Sequence, residues 1–235
     1  MKADVFREFT FEAAHRNGSA PPGAINGRLH GHSYRAVVIV RGEVEERLGW
    51  LVDFADIKDI CKPVIVRLDH RNLNEIAGMN DTSCADLSLW LSAAMAYVLP
   101  GFARCEVSIV GDTTLAPRVE RDNSASETAD RVCFGFAAAH YLPEVPADHK
   151  CRRMHGHSFE IQVAAKDPDA LLPAIERIYP DLDHRVLNEV PGLENPTSEI
   201  LARWIWNALS DSVTDVHSVT VKETCTSGCV YRGED

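Results

Sequence analysis

The 235-residue chain contains its own pattern twice, and this repeat constrains the fold more than any other feature. Phe9-Thr-Phe-Glu-Ala-Ala-His15 is matched by Phe134-Gly-Phe-Ala-Ala-Ala-His140. A His-Gly-His-Ser block begins 15 residues after each closing histidine, at His30 and at His155. Leu68-Asp-His-Arg-Asn-Leu-Asn-Glu75 returns as Leu182-Asp-His-Arg-Val-Leu-Asn-Glu189. The turn from Gly78 to Ser83 returns between Gly192 and Ser198, and the run from Cys105 to Val110 returns between His217 and Lys222. The blocks keep their order, so the chain reads as a tandem duplication: a first unit over 1–119, a polar linker over 120–131 and a second unit over 132–235.

Each unit reads as strand, strand, helix, helix, strand. Arg35–Arg41 and Phe159–Ala165 are β-branched or aromatic runs of strand length. Phe54, Ile57, Ile60, Cys61, Val64, Ile65 and Leu68 recur at helical spacing, which predicts an amphipathic helix over 54–68 despite Pro63. Leu171, Leu172, Ile175, Ile178 and Tyr179 predict its counterpart, with Asp167-Pro168 as cap and first turn. Second helices are expected over 85–99 and 199–213, and closing strands at 107–110 and 219–222. The fold class is therefore α+β: twice over, an antiparallel four-stranded sheet with two helices on one face.

Charge and composition narrow the function. A net charge of −11 argues against nucleic acid as the main partner, because phosphate contacts need a basic footprint. No apolar run approaches the ~20 residues of a membrane span, and the first residues lack the apolar core of a signal peptide. The seven cysteines are odd in number and scattered, which suits reduced thiols in a cytoplasmic protein.

The chemistry concentrates in Lys150-Cys-Arg-Arg-Met-His-Gly-His157. His155 and His157 are two apart, so a strand places both imidazoles on one face. With His140 on the neighbouring strand they form a three-imidazole set of the catalytic-zinc kind, open for substrate or water. His15, His30 and His32 repeat the set. Nickel or iron would also satisfy three imidazoles. Cys151 lies among Lys150, Arg152 and Arg153, where cationic groups and a metal favour thiolate; those cations either meet an anionic substrate or form a basic surface loop. Asp69-His70 and Asp183-His184 are either helix-terminal ion pairs or carboxylate-oriented imidazoles that relay a proton to or from Cys151. Glu223, closing the last strand, is either a solvated charge or an acceptor of paired hydrogen bonds from a guanidine-like ring edge. The first unit has Asn26 in place of Cys151 and Gly111 in place of Glu223.

Together these motifs resemble the 6-pyruvoyl-tetrahydropterin synthase family. The closing Lys222-Glu-Thr-Cys-Thr-Ser-Gly-Cys-Val-Tyr-Arg-Gly233 is most similar to its bacterial branch, the 6-carboxytetrahydropterin synthases of the queuosine pathway. The resemblance implies the tunnelling fold, in which sheets of several units join into an oligomeric barrel. It implies zinc held by His140, His155 and His157, a general-base thiol at Cys151, a catalytic Asp-His pair, a pterin-anchoring Glu223, and Thr197 and Ser198 lining the pterin pocket. The implied substrate is 7,8-dihydroneopterin triphosphate, cleaved to 6-carboxytetrahydropterin, acetaldehyde and triphosphate. A pyruvoyl-forming or related lyase, or a non-catalytic pterin- or zinc-binding protein, would use the same parts. Sites of this family lie between units, so Asp69-His70 of the first unit is expected to complete the Cys151 site, with Asp183-His184 as the alternative, and the first unit is expected to be silent by itself.

Overall fold

The structure, a computed structural model, describes every residue except 80, 112, 114–116, 121–130, 234 and 235. In strand β1 (Lys2–His15) exposure alternates residue by residue until the last turns of sequence, where Ala13, Ala14 and His15 are all buried. Alternation marks a strand with one covered face; its loss marks where a second body packs on the other. Strand β2 (His30–Glu43) pairs antiparallel with β1, and the register sets His15 opposite His30 and Ala13 opposite His32. The hairpin thus assembles three imidazoles from two strand ends.

Helix α1 (Phe54–Ile65) starts at Asp53, whose carboxylate accepts from the Ala55 amide at 2.7 Å. It buries Ile57, Cys61, Val64 and Ile65 and stops earlier than periodicity predicts. The following turn carries Asp69-His70 to strand β3 (Arg71–Asn72), a short parallel partner of β1. Helix α2 (Cys84–Val98) is capped by Ser83, and β4 (Phe102–Val110) returns beside β2. The first sheet has the order β3-β1-β2-β4.

The second unit repeats this with β6 (Arg131–His140), β7 (His155–Ala165), α3 (Leu171–Leu182), β8 (Arg185–Val186), α4 (Ser198–Ser210) and β9 (Val216–Thr224). Its sheet differs from the four-stranded expectation. β5 (Arg118–Glu120) lines the edge of β6, and β10 (Ser227–Tyr231) folds back on β9, giving six strands. Of the expected linker 120–131, residues 121–130 lie outside the described residues, while Glu120 and Arg131 pair with one another in β5 and β6. Asp167 accepts from the Asp169 and Ala170 amides, one turn ahead of α3 rather than at its first residue.

Each unit has its own core. Phe11 stacks on Tyr34 at 5.0 Å in the first, and Phe136 on Phe159 at the same distance in the second. All four rings are essentially inaccessible, each burial contributing about 1.5–3 kcal/mol. Among the described residues no helix is long and apolar enough to cross a membrane.

The units meet where β2 crosses β7. A Cβ on Gly31 would lie 2.3 Å from the Gly156 Cα, and one on Gly156 2.5 Å from the Gly31 Cα. The glycine between each pair of histidines is therefore a packing requirement: only bare backbone lets the strands touch. Beside this crossing the Ser33 and Ser158 amides each point to the other's hydroxyl, at 3.2 and 3.5 Å. The contact is reciprocal, so the two units are related by an approximate twofold.

Candidate active site

The crossing brings the strand ends of both units together, and with them two histidine trios. In the second unit the His140, His155 and His157 rings lie 4.5–5.1 Å apart, all essentially inaccessible. Each Nδ1 is directed at an oxygen: His140 at the Pro196 carbonyl (3.0 Å), His155 at the Arg153 carbonyl (2.7 Å), His157 at Glu12 Oε2 (2.9 Å). Carbonyls only accept, so Nδ1 carries the proton in His140 and His155. All three Nε2 atoms are left buried with no hydrogen-bond partner among the described residues. Convergent imidazole nitrogens, those of His140 and His155 left unprotonated by their Nδ1–H tautomers, fit a metal ion, which would displace any proton from His157 Nε2. Glu223 joins them: its Oε1 is 3.2 Å from His157 Nε2 and 3.8 Å from His140 Nε2, while Ser198 donates to its Oε2. The first-unit trio His15, His30 and His32 has the same geometry.

The Asp-His pairs exchange partners across the crossing. His70, from the first unit, stacks on His155 of the second at 4.4 Å. Ring nitrogens of His70 and His155 and the Cys151 Sγ all lie within 4.8 Å of one another. His184, from the second unit, packs instead on His30 of the first, with ring centroids 4.0 Å apart. Both histidines hold positive φ, 54° and 53°, a strained conformation for a side-chain-bearing residue. Each is held there by its own unit: the His70 amide donates to the Glu12 carbonyl and the His184 amide to the Ala137 carbonyl. The pairs differ in quality. His70 Nδ1 is hydrogen-bonded to Asp69 Oδ1 at 2.8 Å, whereas His184 Nδ1, 2.9 Å from Asp183 Oδ2, is out of line for a hydrogen bond.

The loop around Cys151 ties itself to the first unit. Arg153 Nε donates to the His70 carbonyl at 3.0 Å, and Lys150 pairs with Asp69 at 3.5 Å. Arg152 donates to the Pro143 and Val145 carbonyls. Arg153 and Lys150 thus tie the loop to the first unit, while Lys150 and Arg152 remain exposed. His149, unremarked in the sequence, accepts from the Cys151 amide at 3.2 Å and starts the short turn that carries the thiol. Thr197 caps α4, its hydroxyl accepting from the Ile200 amide at 3.3 Å, so its side chain serves the helix; Ser198 faces Glu223.

The electrostatics follow from burial and from the carboxylates. Burial drives His140 down to about 4 and His155 lower still. His157 is the exception: burial opposes its charge, but Glu12 and Glu223 outweigh it and lift it to about 9. Glu223 is held at about 2, its burial overcome by His157, His140 and Ser198. Asp69 is likewise at about 2, burial losing to His70, the Glu12 amide and Lys150. The expectation of a lowered Cys151 thiol is not met by the protein groups alone: burial pushes it up, with Lys150 and Arg153 opposing and Glu223 and Asp69 reinforcing. His70 is the imidazole adjacent to it that belongs to the first unit.

A partly buried thiol, an aspartate-bound imidazole and a metal-ready histidine trio thus stand together at the junction of two α+β units. The family model for 6-pyruvoyl tetrahydropterin synthase matches residues 4–118 and again 131–234. The chain belongs to that family and carries it as a tandem duplication. It is 41% identical over 115 residues to a 6-carboxy-5,6,7,8-tetrahydropterin synthase of Synechocystis, covering 42% of this chain and 88% of that one. It is 36% identical over 105 residues to a dihydroneopterin monophosphate aldolase of Pyrococcus furiosus, covering 43% and 82%. A human 6-pyruvoyl tetrahydrobiopterin synthase is 33% identical over 84 residues, covering 31% and 58%.

Proposed function

We propose that the chain is a zinc-dependent 6-carboxy-5,6,7,8-tetrahydropterin synthase with one working site, built by the second unit and completed by the first. The observation that carries this is the meeting of Cys151 with His70 across the unit crossing, above the trio His140, His155 and His157. The other junction pairs His184 with the His30 side of a site that has Asn26 for the thiol and Gly111 for the carboxylate.

In this reading Glu223, ionised and backed by Ser198, accepts paired hydrogen bonds from the pterin ring edge. His140, His155 and His157 would hold the zinc, which when bound would supply Lewis acidity toward the hydroxyl and carbonyl oxygens of the substrate side chain. Cys151 passes its thiol proton to His70, and the resulting thiolate takes the proton from the side chain of 7,8-dihydroneopterin triphosphate. His70 gives its Nδ1–H to Asp69, so its other nitrogen is the one that exchanges a proton with the thiol. Asp69, ionised at neutral pH, keeps that tautomer and stabilises the imidazolium. The first unit is catalytically silent by itself. The reading also places the protein in the cytoplasm and in queuosine synthesis. It implies a homo-oligomer, since β4 and β10 end their sheets with edges that no described strand pairs.

Incubating metal-loaded protein with 7,8-dihydroneopterin triphosphate and following products by mass spectrometry tests this. Acetaldehyde with 6-carboxytetrahydropterin, absent in Cys151→Ala, is the expected result. A pyruvoyl product would keep the site and change the reaction; bound pterin without turnover would make the chain a binding protein.

A further inference from the structure

The two trios are not equal. Among the described residues, five of the six histidines direct Nδ1 at an acceptor or hydroxyl of their own unit, or at a partner from the other, and one finds no partner. His15 meets the Thr82 hydroxyl at 3.0 Å, itself oriented by donating to the Arg16 carbonyl, and His30 meets the Arg28 carbonyl at 2.8 Å. His140 and His155 meet carbonyls in the same places. The difference falls on the last pair. His157 Nδ1 sits 2.9 Å from Glu12 Oε2, whereas His32 Nδ1 is buried with no partner among the described residues.

The cause is one position of the repeat. Glu12 stands in the first unit where Ala137 stands in the second. Glu12 reaches across the crossing to His157; by the approximate twofold, Ala137 stands where a carboxylate would reach His32. Glu12 is also held in place. The Ser33 hydroxyl donates to the same Oε2 at 2.6 Å, and the carboxylate side chain is only 12% exposed.

We infer that Glu12 is a positioning residue for the metal ligand His157, supplied by the opposite unit, and that it makes the second-unit trio the tighter of two unequal metal sites. The carboxylate fixes the Nδ1–H tautomer, orients the ring and strengthens Nε2 as a donor. Outer partners of this kind change metal affinity by about 10–100-fold. The silent first unit is thereby tied to the working one: it orients a ligand there as well as supplying His70. This inference rests on the reading of both trios as metal sites.

Metal-free protein titrated with Co²⁺, read by its visible absorption, and with Zn²⁺ against a competing chelator tests it. The wild type is expected to show two classes of site differing by about 10–100-fold, the tighter one lost in His140→Ala and the weaker in His15→Ala. Glu12→Ala should weaken the tight class by a similar factor and leave the weak class alone. Glu12→Gln, which keeps an acceptor without the charge, should recover part of that loss. Ala137→Glu should tighten the weak class, a gain that general disruption of the fold cannot produce. Equal classes in the wild type, or an unmoved tight class in Glu12→Ala, or an unmoved weak class in Ala137→Glu, overturns the inference. Failure of either class to bind metal at all overturns the metal reading itself, and the inference with it.

Discussion

His70 stacks on His155 with ring centroids 4.4 Å apart and planes 27° from parallel, although the two residues belong to different copies of the duplicated unit. The contact makes the Cys151 site a property of the whole chain. A second-unit fragment would hold the thiol, the trio and Glu223, yet lack the imidazole beside the thiol.

The two Asp-His pairs are therefore expected to separate by mutation. His70→Ala should lower turnover by about 10²–10⁴-fold, the range for loss of a general acid–base group. His184→Ala, which removes a ring from the junction facing Asn26, should change it by only a few-fold. Steady-state product formation measured for both variants decides; the opposite ranking would give Asp183-His184 the catalytic role.

Glu223→Gln should weaken binding of a non-reactive pterin. A hydrogen bond to a charged group contributes about 1.5–3 kcal/mol, so the loss should be roughly 10–150-fold in Kd. Metal content should persist, since three imidazoles remain. Fluorescence titration together with metal analysis checks this; loss of the metal with the pterin would make Glu223 a ligand of the ion instead.

Gly156→Ala and Gly31→Ala should each destabilise the protein by about 1–3 kcal/mol or more, the range for overpacking, because the new methyl meets opposing backbone that cannot rotate away. A Cβ at either position falls within 2.5 Å of the facing Cα. Urea denaturation should show a lowered midpoint for both, whereas Gly18→Ala, where a Cβ meets nothing within 4 Å, should leave it nearly unchanged.

Metal-free protein should be most stable near neutral pH. His15, His30, His32, His140 and His155 are all depressed in the fold by burial. Below about 6.5 the unfolded chain takes up protons that the folded chain refuses, so stability falls as pH drops. Asp69 and Glu223, held at about 2, add a contribution present above their unfolded pKa values and lost as pH falls toward 2. His157 acts the other way: raised to about 9, its contribution is complete below about 6.5 and is lost as pH climbs to 9. Urea midpoints at about pH 5.5, 7 and 9 should therefore peak at the middle value; an equal midpoint at pH 5.5 and 7 would contradict the burial of neutral histidines.

The sequence by itself determined the duplication, the strand and helix order, and the two histidine trios, because each is written in local spacing. His-Gly-His on a strand places two rings on one face, and a hairpin of fixed register brings the third opposite. The repeat also exposed what the first unit lacks at Asn26 and Gly111. Other features had no local signal. The fifth and sixth strands of the second sheet come from short segments, Arg118–Glu120 and Ser227–Tyr231, that form strands only because an edge is there to pair with. The Glu12–Ala137 difference was visible in the aligned repeats, but its meaning was not: a strand residue's pairing neighbours follow from register, while its contact with another sheet depends on how the sheets cross. Only the tertiary structure decided that His70 faces Cys151 and that Glu12 faces His157. The physical reason is the backbone contact of Gly31 with Gly156, which sets the two units at one crossing and carries His70, His184 and Glu12 each to the opposite unit's histidines.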